Sequence, residues 1–279
     1  KSGLALTYYY LGKYEQAESL YDEILEANQN EVNKAGISLH SLCCYKCDLA
    51  RVYAAQGLYK KAEQLLRETL AAAEWDAESR WRLIYTKTLG DVCRNQGHYE
   101  EAEVLLVDIL RKAQSILGDE HMGTVGIMYS VARLRTDQGD YEGAGELFDQ
   151  ILRTARRRLG DNHPAILDFV NGVAVLRTKQ KQYSEAESSF KEALRGRQHV
   201  LGEDHPNTLE SKNDLGVLYK EQARYDEAEE LLLEAIKDRR LKLGDTHAKT
   251  LKSWQHLIDL YEAWGKQEQA EQWRAKLPR

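Results

Sequence analysis

One motif recurs along the whole sequence at a nearly constant interval, and this periodicity restricts the fold more than any other feature. The motif reads Gly-x-Tyr-x-x-Ala-Glu, complete or in part, in seven copies. Its tyrosine position is occupied in turn by Tyr14, Tyr59, Tyr99, Tyr141, Tyr183, Tyr225 and Gln267. The intervals are 45 and 40 residues, and then 42 residues four times. A fixed interval of this length indicates an array of stacked supersecondary units.

A second motif, Leu-Gly-x-x-His, lies in phase with the first in the later part of the chain. Its four histidines are His121, His163, His205 and His247. The glycine suits the left-handed conformation that follows the end of a helix, and the polar residues and histidine after it can cap the next helix. Pro164 and Pro206 come next, and proline fits the first turn of a helix. Each copy therefore predicts a boundary between two helices.

Apolar residues between the two motifs follow a helical spacing. Leu215, Leu218 and Tyr219, for example, stand at positions i, i+3 and i+4, which is typical of one helix face. Each unit is therefore predicted to contain a helix A before the Gly-x-Tyr turn and an antiparallel helix B after it. One pair cannot bury both of its faces, so neighbouring pairs must stack into an α-solenoid. The predicted single domain has units at about 1–30, 34–75, 78–117, 121–159, 163–201, 205–243 and 247–279.

These motifs resemble the tetratricopeptide repeat, which has Leu-Gly-x-x-Tyr in helix A and Gly-x-Tyr-x-x-Ala in helix B. Leu215-Gly216 with Tyr219 matches the first half, and Gly97-His98-Tyr99 matches the second. The interval of 42 residues and the Leu-Gly-x-x-His-Pro linker resemble the kinesin light chain and nephrocystin-like type. The resemblance covers essentially the whole chain. It implies an all-α, right-handed superhelix of about seven helix pairs, with the A helices lining a concave groove that binds peptide.

Three places depart from this pattern. The connections from Asn28 to Asn33 and from Glu74 to Ser79 lack the Leu-Gly-x-x-His linker. Val131-Ala132 replaces Leu-Gly in the fourth unit. The first two units are therefore less regular than the later ones.

Composition excludes several function classes. The formal charge of −6 argues against nucleic acid as a partner, because such binding depends on neutralising phosphates. No stretch approaches the roughly 18 apolar residues that a membrane span requires. Four cysteines in 279 residues do not form a disulfide framework, so a reducing, cytoplasmic location is expected. We also expect a monomer or a weak homodimer.

The sequence carries none of the common catalytic motifs, such as a nucleophile elbow, a phosphate-binding loop or His-Glu-x-x-His. Equivalent linker histidines are expected to lie at least one helix diameter apart, about 10 Å, which is too far to share a metal. Cys43 and Cys47 lie one turn apart on a helix and could in principle share a metal, but small residues in tight helix contacts explain them better. We therefore expect no catalytic activity, no cofactor and no metal.

The resemblance also assigns candidate groove residues, by counting back twelve, eight and five residues from each motif tyrosine. The candidates chosen from these positions are Arg51, Lys87, Asp91, Arg94, Tyr129, Arg133, Asn171, Val175, Asn213, Val217 and Lys220. Asn171 and Asn213 occupy the same place in successive units, where the resemblance implies a clamp that hydrogen-bonds the backbone of a bound peptide. Alternatively, each asparagine bonds a neighbouring helix and orders the stack.

The middle of the predicted groove is rich in basic residues, which favours an acidic peptide as the ligand. Ion pairs between units, such as Asp91 with Arg133, are the alternative and would cancel this charge. The sequence thus predicts a non-catalytic scaffold that binds a protein or peptide segment, as in a cargo adaptor. A sensor or autoinhibitory region of a larger signalling protein, such as a STAND-type NTPase, is the alternative. An enzyme in its own right is the third possibility.

Overall fold

The computed structural model describes residues 1–29, 39–72, 80–160 and 163–278. These ranges contain fourteen helices and no strand, so the prediction of an all-α fold is confirmed. Asn33, Glu74 and Ser79, in the two irregular connections, lie outside the described residues. Among the described helices, none combines the length and the apolar character needed to cross a bilayer.

The helices alternate between the predicted A and B types. The A helices are α1 (Ser2–Tyr10), α3 (Leu39–Ala55), α5 (Arg80–Asn95), α7 (Met122–Gln138), α9 (Pro164–Lys179), α11 (Pro206–Glu221) and α13 (Ala248–Ala263). The B helices are α2 (Tyr14–Gln29), α4 (Tyr59–Ala72), α6 (Tyr99–Leu117), α8 (Tyr141–Leu159), α10 (Tyr183–Leu201), α12 (Tyr225–Leu243) and α14 (Gln267–Ala275). Every B helix begins at the motif tyrosine or, in the last copy, at its equivalent Gln267.

The chain forms two compact units, which are called the first unit (Lys1–Gly139) and the second unit (Asp140–Arg279). The helix pairs that make up these units are called repeats from here on. In the first unit, a core cluster around Tyr21 and Val52 joins α1, α2 and α3. In the second unit, a cluster that includes Phe190 and Trp254 joins the helices from α9 to α14. Both cores follow from the apolar spacing of consecutive helices.

The alanine of the first motif marks the closest helix contacts. It has no exposed surface in any copy: Ala17, Ala62, Ala102, Ala144, Ala186, Ala228 and Ala270. A larger side chain would have no free volume there, because protein interiors are close-packed. The motif is therefore explained by packing.

In four of the repeats, the motif glutamate joins its repeat to the turn of the following repeat. Its carboxylate accepts a hydrogen bond in the pairs Gln56–Glu18 (2.6 Å), Gln96–Glu63 (2.6 Å), Gln138–Glu103 (2.9 Å) and Arg224–Glu187 (2.7 Å). The alanine of the recurring Ala-Glu pair is thus a packing site, and the glutamate makes a polar contact between successive repeats.

The linker glycines adopt a conformation different from the predicted one. Gly118, Gly160, Gly202 and Gly244 have φ between 79° and 93° with ψ between 160° and 168°. The left-handed helical region has ψ near 47°, so that prediction was wrong in detail. The observed region is essentially restricted to glycine, which explains why the linker requires this residue.

The predicted histidine caps are confirmed in all four linkers. In each case Nδ1 of the imidazole accepts a hydrogen bond from the backbone N–H two residues later. The donors are Gly123 for His121 (3.0 Å), Ala165 for His163 (3.2 Å), Asn207 for His205 (3.2 Å) and Lys249 for His247 (3.1 Å). Each cap starts an A helix.

Candidate functional site on the A helices

Eight of the eleven predicted groove residues are partly exposed on A helices. They are Arg51, Lys87, Asp91, Tyr129 and Arg133 in the first unit and Val175, Val217 and Lys220 in the second. We call these residues the A-helix face of each unit. The other three, Arg94, Asn171 and Asn213, are buried.

The A-helix face of the first unit is centred on Asp91. Lys87 donates a hydrogen bond to this carboxylate at 2.7 Å. Burial opposes the ionisation of Asp91, but the cations of Lys87, Arg94 and Arg133 outweigh it and hold the pKa of Asp91 below its usual range. Asp91 therefore stays ionised and offsets part of the positive charge around it.

Other predicted groove cations of the first unit also have partners within the protein. Arg94 donates to Asp137 at 2.5 Å, which ties α5 to α7. Arg51 donates to Asp48 at 3.1 Å and stacks over the ring of Tyr9 at 5.1 Å. The pair of Arg94 with Asp137 joins two successive helix pairs and supports the alternative of ion pairs between them, whereas Arg51 and Asp48 lie on the same helix.

In the second unit, Asn171 is held by its neighbours. Its Oδ1 accepts hydrogen bonds from Ser211 at 3.0 Å and from Arg197 at 3.4 Å. Its Nδ2 donates to Asp214 at 3.0 Å. Only 7% of the residue is exposed, and both the oxygen and the nitrogen of the amide are already engaged within the protein.

Asn213 has an equivalent environment in the next repeat. Its Oδ1 accepts from Ser253 at 2.9 Å and lies 3.2 Å from Nδ1 of His256, and only 1% of the residue is exposed. Both networks favour the alternative that the two asparagines order the stack of helices. A peptide backbone could bond them only after these contacts had broken.

Two buried arginines, which the sequence reasoning missed, lie at the centre of these networks. Arg197 donates to Ser211 at 2.7 Å and to Asp168 at 2.5 Å. Forty-two residues later, Arg239 donates to Ser253 at 2.6 Å and to the carbonyl of Lys249 at 2.8 Å. Each arginine thus joins its own B helix to the A helix of the next repeat. The sequence signal for this network was the recurrence of Asn, Arg and Ser after 42 residues: Asn171 with Asn213, Arg197 with Arg239, and Ser211 with Ser253.

The carboxylate of Glu210 offsets the positive charge around Arg239. Burial opposes its ionisation, but Lys249, whose Nζ lies 2.7 Å from the carboxylate, together with Arg239 and Lys252, holds the pKa of Glu210 well below its usual range. The carboxylate is therefore ionised at neutral pH and belongs to the internal ion-pair network.

His256 provides a test of this electrostatic environment. Burial, followed by the cations of Lys252, Lys220 and Arg239, lowers the pKa of His256 to about 3. Because an unfolded histidine titrates near pH 6.5, its contribution to stability is complete above that pH and is lost as the pH falls towards 3. We expect His256→Gln to flatten the dependence of urea-induced unfolding on pH between about 6.5 and 4, relative to the native chain. An unchanged slope would contradict the lowered pKa.

One group of side chains has the donor atoms of a metal site. Donor atoms of Glu63, His98 and Glu101 lie within 4.8 Å of one another. However, the guanidinium of Arg67 donates to Glu63 at 2.7 Å and to Glu101 at 2.6 Å, so an internal cation already pairs with both carboxylates. Among the cysteines, burial raises the pKa of Cys93 to about 11, which keeps this thiol protonated and poorly nucleophilic.

Comparison with known proteins identifies the repeat. A family model described as tetratricopeptide repeat matches residues 41–115 and 168–240, and a second model with the same description matches 1–34 and 124–165. No curated protein sequence matches the chain significantly.

Solved structures share the fold. The nearly identical TPR-like repeats of a candidate kinesin light chain from Podosopora anserina are 25% identical, with a TM-score of 0.51 over 70% of this chain and 93% of that chain. BtubC (BKLC) from P. vanneervenii is 20% identical, with a TM-score of 0.55 over 87% and 96%. NprR, solved in complex with its cognate peptide NprX, is 17% identical, with a TM-score of 0.67 over 94% and 72%.

Proposed function

Because the chain belongs to the tetratricopeptide repeat family, a non-catalytic interaction fold, we propose that it is a scaffold whose A-helix faces bind a peptide segment of another protein. The observation that carries this proposal is that eight of the eleven groove positions remain partly exposed on A helices. The structure of NprR with its peptide supports it, since a protein of this fold accommodates a peptide ligand.

The two faces offer different chemistry to a ligand. In the second unit, Val175 and Val217 occupy equivalent, partly exposed positions on α9 and α11, which suit an apolar side chain of the ligand. In the first unit, Arg51, Lys87 and Arg133 are partly exposed cations on A helices, and Arg133 lies over the ring of Tyr129 at 5.6 Å. A peptide with acidic and apolar residues fits these properties best.

The roles of adaptor and sensor use the same faces. A cargo adaptor holds its ligand for transport or assembly, whereas a sensor region transmits ligand binding to another domain of the same polypeptide. The sensor is the second candidate, and the structure of NprR with its cognate peptide is compatible with both roles. A nucleotide-binding domain on the full-length polypeptide would support the sensor, and a coiled coil would support the adaptor.

The proposal is tested with peptides selected from a random phage-displayed library on the immobilised chain. We expect Val217→Arg to weaken the binding of selected peptides that carry apolar residues by about tenfold or more. Arg133→Glu should weaken the binding of the acidic peptides to a similar extent. Fluorescence anisotropy of the labelled peptides measures the change.

The matched controls lie on B helices. Leu241→Arg changes an apolar residue that is 81% exposed on α12, and Arg111→Glu reverses an exposed charge on α6. Both should leave peptide affinity unchanged. Selected peptides that tolerate both A-helix variants, or failure to enrich any peptide, would overturn the proposal.

A further inference from the structure

The motif glutamate of α10 is bound by a tyrosine and a cation of the following repeat. Glu187 accepts hydrogen bonds from the hydroxyl of Tyr219 at 3.2 Å and from Arg224 at 2.7 Å. The guanidinium of Arg224 also lies over the ring of Tyr219 at 3.8 Å. The tyrosine and the arginine stand six residues and one residue before the motif tyrosine Tyr225.

The last repeat contains the same arrangement. The hydroxyl of Tyr261 donates to Glu229 of α12 at 2.5 Å, and Nζ of Lys266 lies over the Tyr261 ring at 5.9 Å. Tyr261 and Lys266 have the same spacing from Gln267, which replaces the motif tyrosine. A tyrosine hydroxyl and a neighbouring cation therefore form a site that binds a glutamate of the helix packed against it.

The first repeat carries the same pair without a glutamate. Tyr8 and Lys13 have this spacing from Tyr14, and Nζ of Lys13 lies over the ring of Tyr8 at 5.8 Å. Within the part of the chain that the structure describes, no carboxylate bonds the hydroxyl of Tyr8 or the ammonium group of Lys13. The two groups are therefore available to a carboxylate from another molecule.

An open groove of about 320 Å³ adjoins this pair. Its lining residues are Tyr8 of α1 and Glu15, Gln16, Ser19 and Leu20 of α2. The counterpart of Glu15 in the sixth repeat is Asp226, and that repeat binds Glu187. The carboxylate of Glu15 is therefore compatible with a second carboxylate at Tyr8.

An apolar residue of α1 is exposed where its counterparts are buried. Leu4 is 50% exposed and lies one turn before Tyr8, on the same side of the helix. Five of its counterparts are at most 4% exposed, namely Leu49, Leu89, Val131, Leu215 and Leu257, and Val173 is partly exposed. In the second unit, two of these leucines share a core cluster with Phe190 of α10 and Leu232 of α12. Both of these apolar residues stand three positions after a motif glutamate.

We propose that Leu4, Tyr8 and Lys13 form a docking site for an amphipathic helix of a partner protein. The helix carries Ala-Glu-x-x-Φ, where Φ is a large apolar residue, because this is the pattern of α10 and α12. Its glutamate bonds Tyr8 and Lys13, as Glu187 bonds Tyr219 and Arg224. Its apolar residue covers Leu4. The site lies apart from the residues of the A-helix faces and does not depend on peptide binding there.

The last helix of a second copy does not match this pattern. In α14, Ala270-Glu271 is followed by Arg274 at the position of the apolar residue. Arg274 is exposed and pairs with both Glu262 and Glu271. Packing it against Leu4 would remove a charge from water without a new partner, which is unfavourable. The geometry therefore favours a helix of a different protein.

The test uses a fluorescent peptide with the sequence of α10, residues 183–201, as the probe. An isolated helix of this length is only marginally stable, so a hydrocarbon staple joins the positions of Ser188 and Glu192, which are exposed on α10. We expect saturable binding to the 279-residue chain by fluorescence anisotropy. Leu4→Arg should weaken this binding by about tenfold or more.

A double-mutant cycle tests the proposed contact with the glutamate. Tyr8→Phe should weaken the binding of the probe by about threefold to tenfold, the effect of one hydrogen bond to a charged group. With a probe that carries Glu187→Gln, the same substitution should have a much smaller effect. Equal effects on the two probes would contradict the contact.

Two matched controls change exposed or partly exposed residues elsewhere. Leu241→Arg on α12 and Val217→Arg on the A-helix face of the second unit should leave the affinity for the probe unchanged. Because Val217→Arg is also the variant that tests the groove, a failure of either proposal can be told from a failure of the other. Unchanged melting curves of Leu4→Arg and Tyr8→Phe by circular dichroism show that the variants are folded.

Three results would overturn the proposal. The first is a native chain that does not bind the probe, or that binds it equally well after Leu4→Arg, since the probe would then bind elsewhere. The second is a dimer by light scattering that Leu4→Arg dissociates, since a second copy would then cover the face. The third is a longer form of the polypeptide that buries Leu4 with its own preceding helix and no longer binds the probe.

Discussion

Replacing Arg239 by methionine is expected to lower the free energy of unfolding by about 3 kcal/mol. The guanidinium is only 2% exposed and donates to Ser253 and to the carbonyl of Lys249. Methionine fills much of the same volume but leaves both acceptors buried without this donor. It also removes a cation that lies 3.8 Å from the carboxylate of Glu210. Urea-induced unfolding followed by circular dichroism measures the loss.

Arg240 supplies the matched control on the same helix. Its guanidinium pairs with Asp245 at an exposed position on α12, and exposed ion pairs contribute little to stability. Arg240→Met should therefore cost only a small fraction of the loss at Arg239. Equal effects of the two substitutions would show that the buried network does not hold the second unit together.

Alanine at two glycines of the first unit is expected to change stability in opposite directions. A Cβ added at Gly90 on α5 would lie 2.6 Å from Cγ of Leu106, which is fully buried. Gly90→Ala should lower the free energy of unfolding by about 1–2 kcal/mol, because overpacking outweighs the higher helix propensity of alanine. Gly126 on α7 has no such neighbour within 4 Å. Gly126→Ala should therefore raise the free energy by about 0.5–1 kcal/mol.

The comparison of the two variants is made under identical conditions by urea-induced unfolding. A gain at both positions would mean that α6 shifts to accommodate the new methyl group. In that case Gly90 would not be required for the close approach of α5 and α6.

The local structure follows from the sequence because its causes are local. The interval of 42 residues, the apolar spacing and the helix boundary signals predict the order of the helices. The histidine caps were also predictable, since each histidine bonds an N–H only two residues away. The backbone angles of the linker glycines were not, because a glycine fits several regions with positive φ and the neighbouring helices select among them.

The site was less predictable than the fold. Counting from the motif tyrosines places the candidate residues on A helices, but it gives Asn171 and Val175 the same status. The structure buries the first and leaves the second partly exposed, although they lie one turn apart on α9. Arg197 and Arg239 were missed because an arginine near the end of a B helix satisfies the helix dipole equally well when it is exposed.

The sequence alone determined a periodic set of paired helices, with their turns, caps and closely packed alanines. Only the tertiary structure decided which polar side chains are buried between the helices and which stay partly exposed on the A helices. The physical reason is the range of the contacts. Ser211 lies 40 residues from Asn171 in the chain, so neither residue's burial can be deduced until the stacked helices bring them to hydrogen-bonding distance.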